Sequence, residues 1–354
     1  MVCAHCHLEL PDNSQYCFYC GEQQHNFCKN CDISLPDGAH FCNKCGARLK
    51  ELSTLPIYFK IVEDTVVKFL GIDMKSIVIP SSVKKIAQSA FEGTSVEKVV
   101  LPSSVKEIHP RAFYNCSELR TVTLSKHLVS IGEEAFRGCS SLQEITIPSF
   151  VADIGRAAFA DCKKLHTVTL NQLVDQISES CFERCEALFS LTIPAPLSAV
   201  HSRAFYACQA LQDLELPEGV GLIGDSAFDA CSALSNVTLP KGVTTLGQRA
   251  FAGCHSLSFL KLPRTLSQVG ASAFRLCTGL EELKLPHGVT VIEESTFAGC
   301  KNMKKLYIPD SVRSVALGEK SPFASCPSLE FYGSTKSVVK HLARDTQIPY
   351  HLTD

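Results

Sequence analysis

The stretch FDACSALSNVTLPKGVTTLGQRA, residues 228–250, decides the fold of this chain. It is one instance of the unit F-x-x-C-x-x-L-x-x-V-x-L-P-x-x-V-x-x-I-G-x-x-A. Phe stands at 91, 113, 136, 159, 182, 205, 228, 251, 274, 297 and 323, and eight of the ten intervals are 23 residues. The first interval is 22 and the last is 26. Cys follows each Phe by three residues, except in the first unit, where Thr94 takes its place. From residue 119 onward Leu follows three further on, with Met303 once. A fixed internal period of this length is the mark of a solenoid.

Each piece of the unit has a structural reason. L-x-x-V-x-L is a short strand whose apolar residues alternate with polar ones, so one side faces inward. Proline follows and ends the strand, because it has no N–H to give a ladder. V-x-x-I-G is a second short extended piece. Glycine then turns the chain into what reads as a brief helical turn carrying A-F-x-x-C, whose Ala, Phe and Cys fill the interior. One unit cannot bury its own apolar face, whereas stacked neighbours can. About eleven coils at about 4.8 Å each predict a solenoid about 50 Å long. Residues 57–79 read as an N-terminal cap. At the far end, Val338, Val339 and Leu342 share one helical face, and Ser334 or Thr335 is placed to cap its start. That assigns 57–333 to the solenoid and 334–354 to a C-terminal helical cap.

Cysteine is the compositional outlier, with 19 in 354 residues. Eight fall at 3, 6, 17, 20, 28, 31, 42 and 45, and eleven at 116 and beyond. The gap between them holds a change of structure, with residues 1–46 as one unit and 47–56 as a linker. The first eight read C-x2-C-x10-C-x2-C twice, offset by 25 residues. Leu10-Pro11-Asp12 maps onto Leu35-Pro36-Asp37, and Gly21 onto Gly46. Two C-x-x-C knuckles facing each other make a tetrahedral four-sulfur site, the geometry of structural Zn²⁺. A module of about 20 residues is too small for an apolar core, so metal must supply its folding free energy. The predicted ligands are Cys3, Cys6, Cys17 and Cys20 for one ion, and Cys28, Cys31, Cys42 and Cys45 for the second. His5, His7 and His40 map onto Asn30, Asp32 and Gln15, so no histidine recurs. A disulfide-stapled module and iron in the same sulfur set are the alternatives.

The two patterns resemble known families. CAHCHLELPDNSQYCFYCG and CKNCDISLPDGAHFCNKCG resemble double zinc-ribbon modules, which implies two structural Zn²⁺ ions and no catalysis. The long repeat resembles the leucine-rich repeats of BspA-like bacterial proteins over about residues 57–354. That likeness implies short parallel strands in a leucine-rich repeat solenoid, and for much of the family a surface adhesin.

Composition narrows the function. Lys plus Arg number 34 against 36 Asp plus Glu, a formal charge of −2, which argues against bulk polyanion binding. The segment 1–50 has four basic residues against five acidic ones, a poor footprint for phosphate. Nucleic acid is therefore disfavoured, and a regulator acting on it through the ribbons is an alternative reading. No run approaches the 18 or more apolar residues of a membrane helix. The opening residues Met1 to Cys6 lack the basic and apolar regions of a secretory signal. The many thiols fit a reducing compartment, so the expectation is a cytoplasmic protein. The repeat cysteines read as small buried apolar residues with free thiols.

No P-loop, no G-x-S-x-G elbow and no H-E-x-x-H occurs, and the chain reads as a non-enzyme. What remains is the outward face of the first strand. Its early coils carry mainly threonine, as at Thr121, Thr123, Thr146, Thr167, Thr169 and Thr192. The later ones change to Phe259, Lys261, Lys284, Lys305 and Tyr307. Aromatic plus basic composition is that of an interface, so these five are the predicted partner-binding residues of a protein-interaction scaffold. The departures near Asn171 to Cys181 and at Ser125 read as drift in loops or as a local bend. Neither partner identity nor oligomeric state is written in the sequence.

Overall fold

The computed structural model describes residues 26–27, 34–35, 58–72, 74–193 and 196–353. From Tyr58 onward the chain is a β-solenoid of stacked coils, each with three sides. In the unit quoted above, the first side is the strand Asn236–Thr238 and the second is the strand Thr245–Leu246. Both pair in parallel register with the coil before, Val237 against Leu214 and Leu246 against Ile223. The period of 23 residues makes equivalent positions stack, so every apolar residue of a row meets its own kind.

The third side differs from expectation. No helical turn forms around A-F-x-x-C. The N–H groups of Ala112, Tyr114 and Cys116 donate within the coil to the carbonyls of His109, Arg111 and Phe113, at 3.3, 3.0 and 3.2 Å. The alternate N–H groups of Arg111, Phe113 and Asn115 donate to Glu133, Ala135 and Arg137 of the next coil, at 2.8, 2.7 and 2.7 Å. An α-helix needs these donors for its own carbonyls. Arg111 (φ 57°) and Asn115 (φ 55°) are left-handed, which ends any helical run. The third side is thus a stack of tight turns laddered coil to coil. Glycine at the end of the second side answers a close approach: a Cβ on Gly247 would lie 2.5 Å from the Asp225 nitrogen of the preceding coil.

The core is a file of phenylalanines. Phe91, Phe113, Phe136, Phe159, Phe182, Phe205, Phe228, Phe251, Phe274 and Phe297 are fully buried. Adjacent rings stack nearly parallel, from 4.8 Å between Phe91 and Phe113 to 6.2 Å between Phe251 and Phe274. The cysteines run beside them, buried and free. Each sulfur has a use for its hydrogen: Cys231 Sγ donates to the Phe205 carbonyl at 3.2 Å, and Cys254 Sγ to that of Phe228 at 3.3 Å. Burial pushes the Cys231 and Cys277 thiols up to about 12.

Both ends are closed. At the start, β3 (Phe59–Val62) and β4 (Thr65–Phe69) form an antiparallel hairpin, and β4 pairs with Lys85–Ile86. Phe69 extends the ring file at 5.2 Å from Phe91, and Phe59 covers Phe69 at 5.6 Å. At the far end, helix α1 (Val339–Thr346) buries Val339, Leu342 and Ala343. Its N-cap is Val338, with no side-chain cap. Ser334 Oγ instead accepts from the Lys336 N–H, ahead of the helix, at 3.1 Å. The strand Tyr350–Leu352 then pairs with Glu330–Gly333, so this cap is helix and strand together.

The departures from the repeat are repaired locally. Asn171, in a proline position, donates from Nδ2 to the carbonyls of Pro148 and Val151, while its Oδ1 accepts from the Leu173 N–H. Ser178, in a glycine position, donates from Oγ to the Ile154 carbonyl. No bend has to be invoked at this point. Before the solenoid, β1 (Asn26–Phe27) pairs antiparallel with β2 (Ser34–Leu35). Among the described residues no helix is long and apolar enough to cross a membrane.

Candidate partner-binding face

The first side of each coil turns one residue inward and two outward, as a pleated strand must. Inward stand Val237, Leu260, Leu283, Leu306 and Phe331, all but Val237 buried. Outward, the register brings one row together as Lys284, Tyr307, Tyr332 and His351. The second row runs Phe259, Glu282, Lys305 and Glu330. The five predicted residues therefore lie on one face of consecutive coils.

Their geometry is specific. Lys284 Nζ lies 4.5 Å from the centre of the Tyr307 ring, a cation–π contact. Tyr307 packs on Tyr332 at 5.0 Å, and Tyr332 stacks on His351 at 4.7 Å. Lys305 Nζ lies 5.8 Å from the Tyr332 ring. The Tyr332 hydroxyl donates to Glu330 Oε2 at 3.0 Å, and His351 Nε2 is 2.9 Å from the same oxygen. Burial and the Glu330 carboxylate hold the Tyr332 phenol above its ordinary value. Phe259 stands apart, 67% exposed. Among the described residues its coil is the one whose first side forms no strand, with a single bridge from Phe259 to Glu282.

Tyr332 and His351 escaped the sequence reading for a definite reason. Met303 is followed two residues later by Lys305, its first outward residue. Leu329 is followed at once by Glu330, which pairs with Lys305. One residue is missing there, so counting by the repeat lands on Phe331 and Gly333. His351 belongs to the strand after the cap helix, where no repeat extends.

The third side carries charge of another kind. Glu92, Arg111, Glu134, Arg137, Asp161 and Arg184 form a continuous chain of ion pairs across five coils, at 2.6 to 3.7 Å. Arg203 grips Glu183 through two hydrogen bonds; burial raises that carboxyl, and the bonds from Arg203 and Ser180 outweigh it and hold it low. Arg249 meets Asp229 at 2.7 Å, with Asp229 only 5% exposed. These charges satisfy one another and brace the stack.

The eight predicted zinc ligands, Cys3 to Cys45, lie outside the described residues, as does the linker 47–56. The described strands β1 and β2 bracket Cys28 and Cys31 in the sequence. Two sets of four thiols are a donor set that fits Zn²⁺.

Comparison with known proteins agrees with both halves. The family described as BspA type leucine rich repeat region matches residues 67–189 and 198–330, in six copies. The family described as double zinc ribbon matches residues 3–46. Among solved structures, a leucine rich cell surface protein from Faecalibacterium prausnitzii is 26% identical, covering 83% of this chain and 93% of that one at a TM-score of 0.52. A leucine-rich repeat protein from Bacteroides ovatus is 23% identical, covering 84% and 98% at a TM-score of 0.45. The pneumococcal vaccine antigen PcpA is 20% identical, covering 82% and 92% at a TM-score of 0.49. None of the curated proteins matches.

Proposed function

The chain belongs to the BspA type leucine rich repeat family, and from that premise we propose that its solenoid is a non-enzymatic scaffold that binds another protein. The binding surface is the first-side face at Phe259, Lys261, Lys284, Lys305 and Tyr307, widened by Tyr332 and His351. The observation that carries this reading is Phe259: a large aromatic ring, 67% exposed, beside an aromatic and basic row in a solenoid that buries every repeat phenylalanine. Exposed rings among positive charges are what interfaces use as anchors. The ribbon module, with one Zn²⁺ on each set of four cysteines, is a structural or docking unit ahead of residues 57–354. The division at 46, 56 and 333 belongs to the same proposal.

Eleven buried free thiols support a reducing, cytoplasmic setting. The second reading is an adhesin at the cell surface, favoured by the likeness to a leucine rich cell surface protein. Fractionation of the host separates the two: the protein is expected with the soluble intracellular fraction, and protease-accessible protein on intact cells would overturn that. The binding face is tested by affinity capture from host lysate with the full chain, beside a variant with Lys261, Lys284 and Tyr307 changed to Ala. A protein retained by the first and lost by the second is the expected result. The same set retained by both would remove this face from the reading.

A further inference from the structure

The C-terminal coils are charged unlike the rest of the solenoid. Residues 241–313 hold ten Lys and Arg against five Asp and Glu, while residues 171–240 hold two against nine. The excess is concentrated at the end of the first side and in the turn that follows. Lys261 and Lys284 point outward from adjacent coils, and Lys241, Arg264 and His287 occupy one equivalent position in the turns of three successive coils. All five are exposed. Elsewhere the solenoid pairs its cations along the stack, as at Arg111, Arg137 and Arg184. Here Lys284 has Glu282 at 3.7 Å, and among the described residues no carboxylate lies within ion-pair reach of Lys241, Lys261, Arg264 or Lys305. Unpaired charges of one sign on a low-dielectric wall create a field that draws an opposite charge.

We propose that this face is a receptor for an acidic polypeptide, with Phe259 as its apolar anchor and Lys261, Arg264, Lys284 and Lys305 meeting its carboxylates. The proposal rests on the reading of the face as a protein-binding surface and names the chemistry of the partner. A single-stranded nucleic acid offers the same charge but needs free aromatic faces on which to stack its bases. Those faces are taken: Tyr307 lies between Lys284 and Tyr332, and Tyr332 between Tyr307 and His351. Phe259 remains as a lone exposed ring, which suits one apolar side chain of a peptide better than a run of bases. The cations at the centre are mainly lysines, point charges that meet carboxylates without the planar fork that favours phosphate.

The test is fluorescence anisotropy with the full chain and a labelled peptide in which a Leu-Phe pair is flanked on both sides by Asp and Glu. A single-stranded oligonucleotide of equal charge is run beside it. The peptide is expected to bind and the oligonucleotide not. Changing Lys261, Arg264 and Lys284 together to Glu is expected to weaken the peptide at least about tenfold. Phe259→Ala is expected to weaken it about fivefold. Lys98→Glu with Lys106→Glu, exposed charges of the early coils, is expected to leave binding unchanged. Thermal melts by circular dichroism check that each variant is folded. The proposal is overturned if the peptide does not bind, if the oligonucleotide binds as tightly, or if the triple reversal leaves binding intact. A lysate partner lost with the Lys261, Lys284 and Tyr307 variant yet not displaced by the peptide would keep the face and remove the acidic partner. Peptide binding with no lysate partner would do the reverse. Self-association abolished by the same reversal would assign the face to the acidic coils of a second copy and overturn the proposal.

Discussion

Phe228→Ala tests the physical basis of the solenoid most directly. The ring is fully buried and stacks between Phe205 at 5.3 Å and Phe251 at 5.4 Å, with interplanar angles of 6° and 10°. Truncating a buried Phe costs about 3–5 kcal/mol, the sum of lost transfer energy and the cavity left behind. Two aromatic contacts, each adding about 0.5–1.5 kcal/mol beyond area, place this case at about 4–5 kcal/mol. Collapse of the site offers little relief, because the rows above and below are held by hydrogen bonds from Phe205 N–H to Ala227 and from Phe228 N–H to Ala250, both at 2.9 Å. Phe259→Ala removes the same atoms from a ring 67% exposed, and is expected to change stability by less than about 0.5 kcal/mol. Urea unfolding followed by far-UV circular dichroism and tyrosine fluorescence compares the two variants, since the chain has no Trp. In a stack of nearest-neighbour contacts the damage also spreads locally, so amide exchange should quicken first in the coils on either side of Phe228. A loss under about 1 kcal/mol for Phe228→Ala, or equal losses for both variants, would refute the account of the core.

Three further outcomes follow from the same structure. Protein kept reduced and supplied with zinc is expected to contain about two Zn per chain, and less than one would sink the four-cysteine sites. Stability should fall steeply at alkaline pH. The thiols have an ordinary value of about 8.5 when unfolded and are pushed up when folded, to about 12 at Cys231 and Cys277, so their contribution is complete below about pH 8.5 and is lost as pH rises above it. Each such thiol costs about tenfold in the folding equilibrium per pH unit in that window, and Cys231→Ala with Cys277→Ala should flatten the alkaline limb, an outcome read from urea midpoints between pH 8 and 10. Arg249→Ala strands the Asp229 carboxylate and is expected to cost about 1–3 kcal/mol, partly recovered by adding Asp229→Asn; no recovery would assign the loss to packing of the Arg249 stem.

Much of this was legible because the repeat makes each position an observation made eleven times over. Phe, Cys and Leu recur where the interior admits nothing else, and burial of these rows was readable from residue type alone. The A-F-x-x-C turns were misread as helical because Ala followed by two free positions suits a helix. What decides the matter is the donation of alternate N–H groups to the next coil, a contact between units that no single unit records. The N-terminal rings were missed for a related reason: Phe59 and Phe69 enter the file from an antiparallel hairpin, outside the 23-residue register. The face was located by its change from threonine to aromatic and basic residues. Its extent was not, since Tyr332 follows a deletion, His351 follows the cap, and the basic turn row of Lys241 and Arg264 lies in a segment that looks like a connector.

The separation of roles among the three sides explains why that face can carry specificity. Inward residues are fixed by packing, and a change at Phe228 is felt throughout its coil. Third-side charges are fixed by pairing, since removing Arg137 would leave both Glu134 and Asp161 without it. The outward residues of the first side answer to neither constraint. Their strands are held by backbone bonds and by the inward leucines, so Thr169, Glu215, Lys261 and Tyr307 occupy one equivalent position with no common demand on stability. Threonine is what a solvated strand face accepts by default. Departure from it in consecutive coils, toward an exposed ring and unpaired cations, therefore needs a cause outside the fold, and an acidic partner bearing an apolar side chain supplies one.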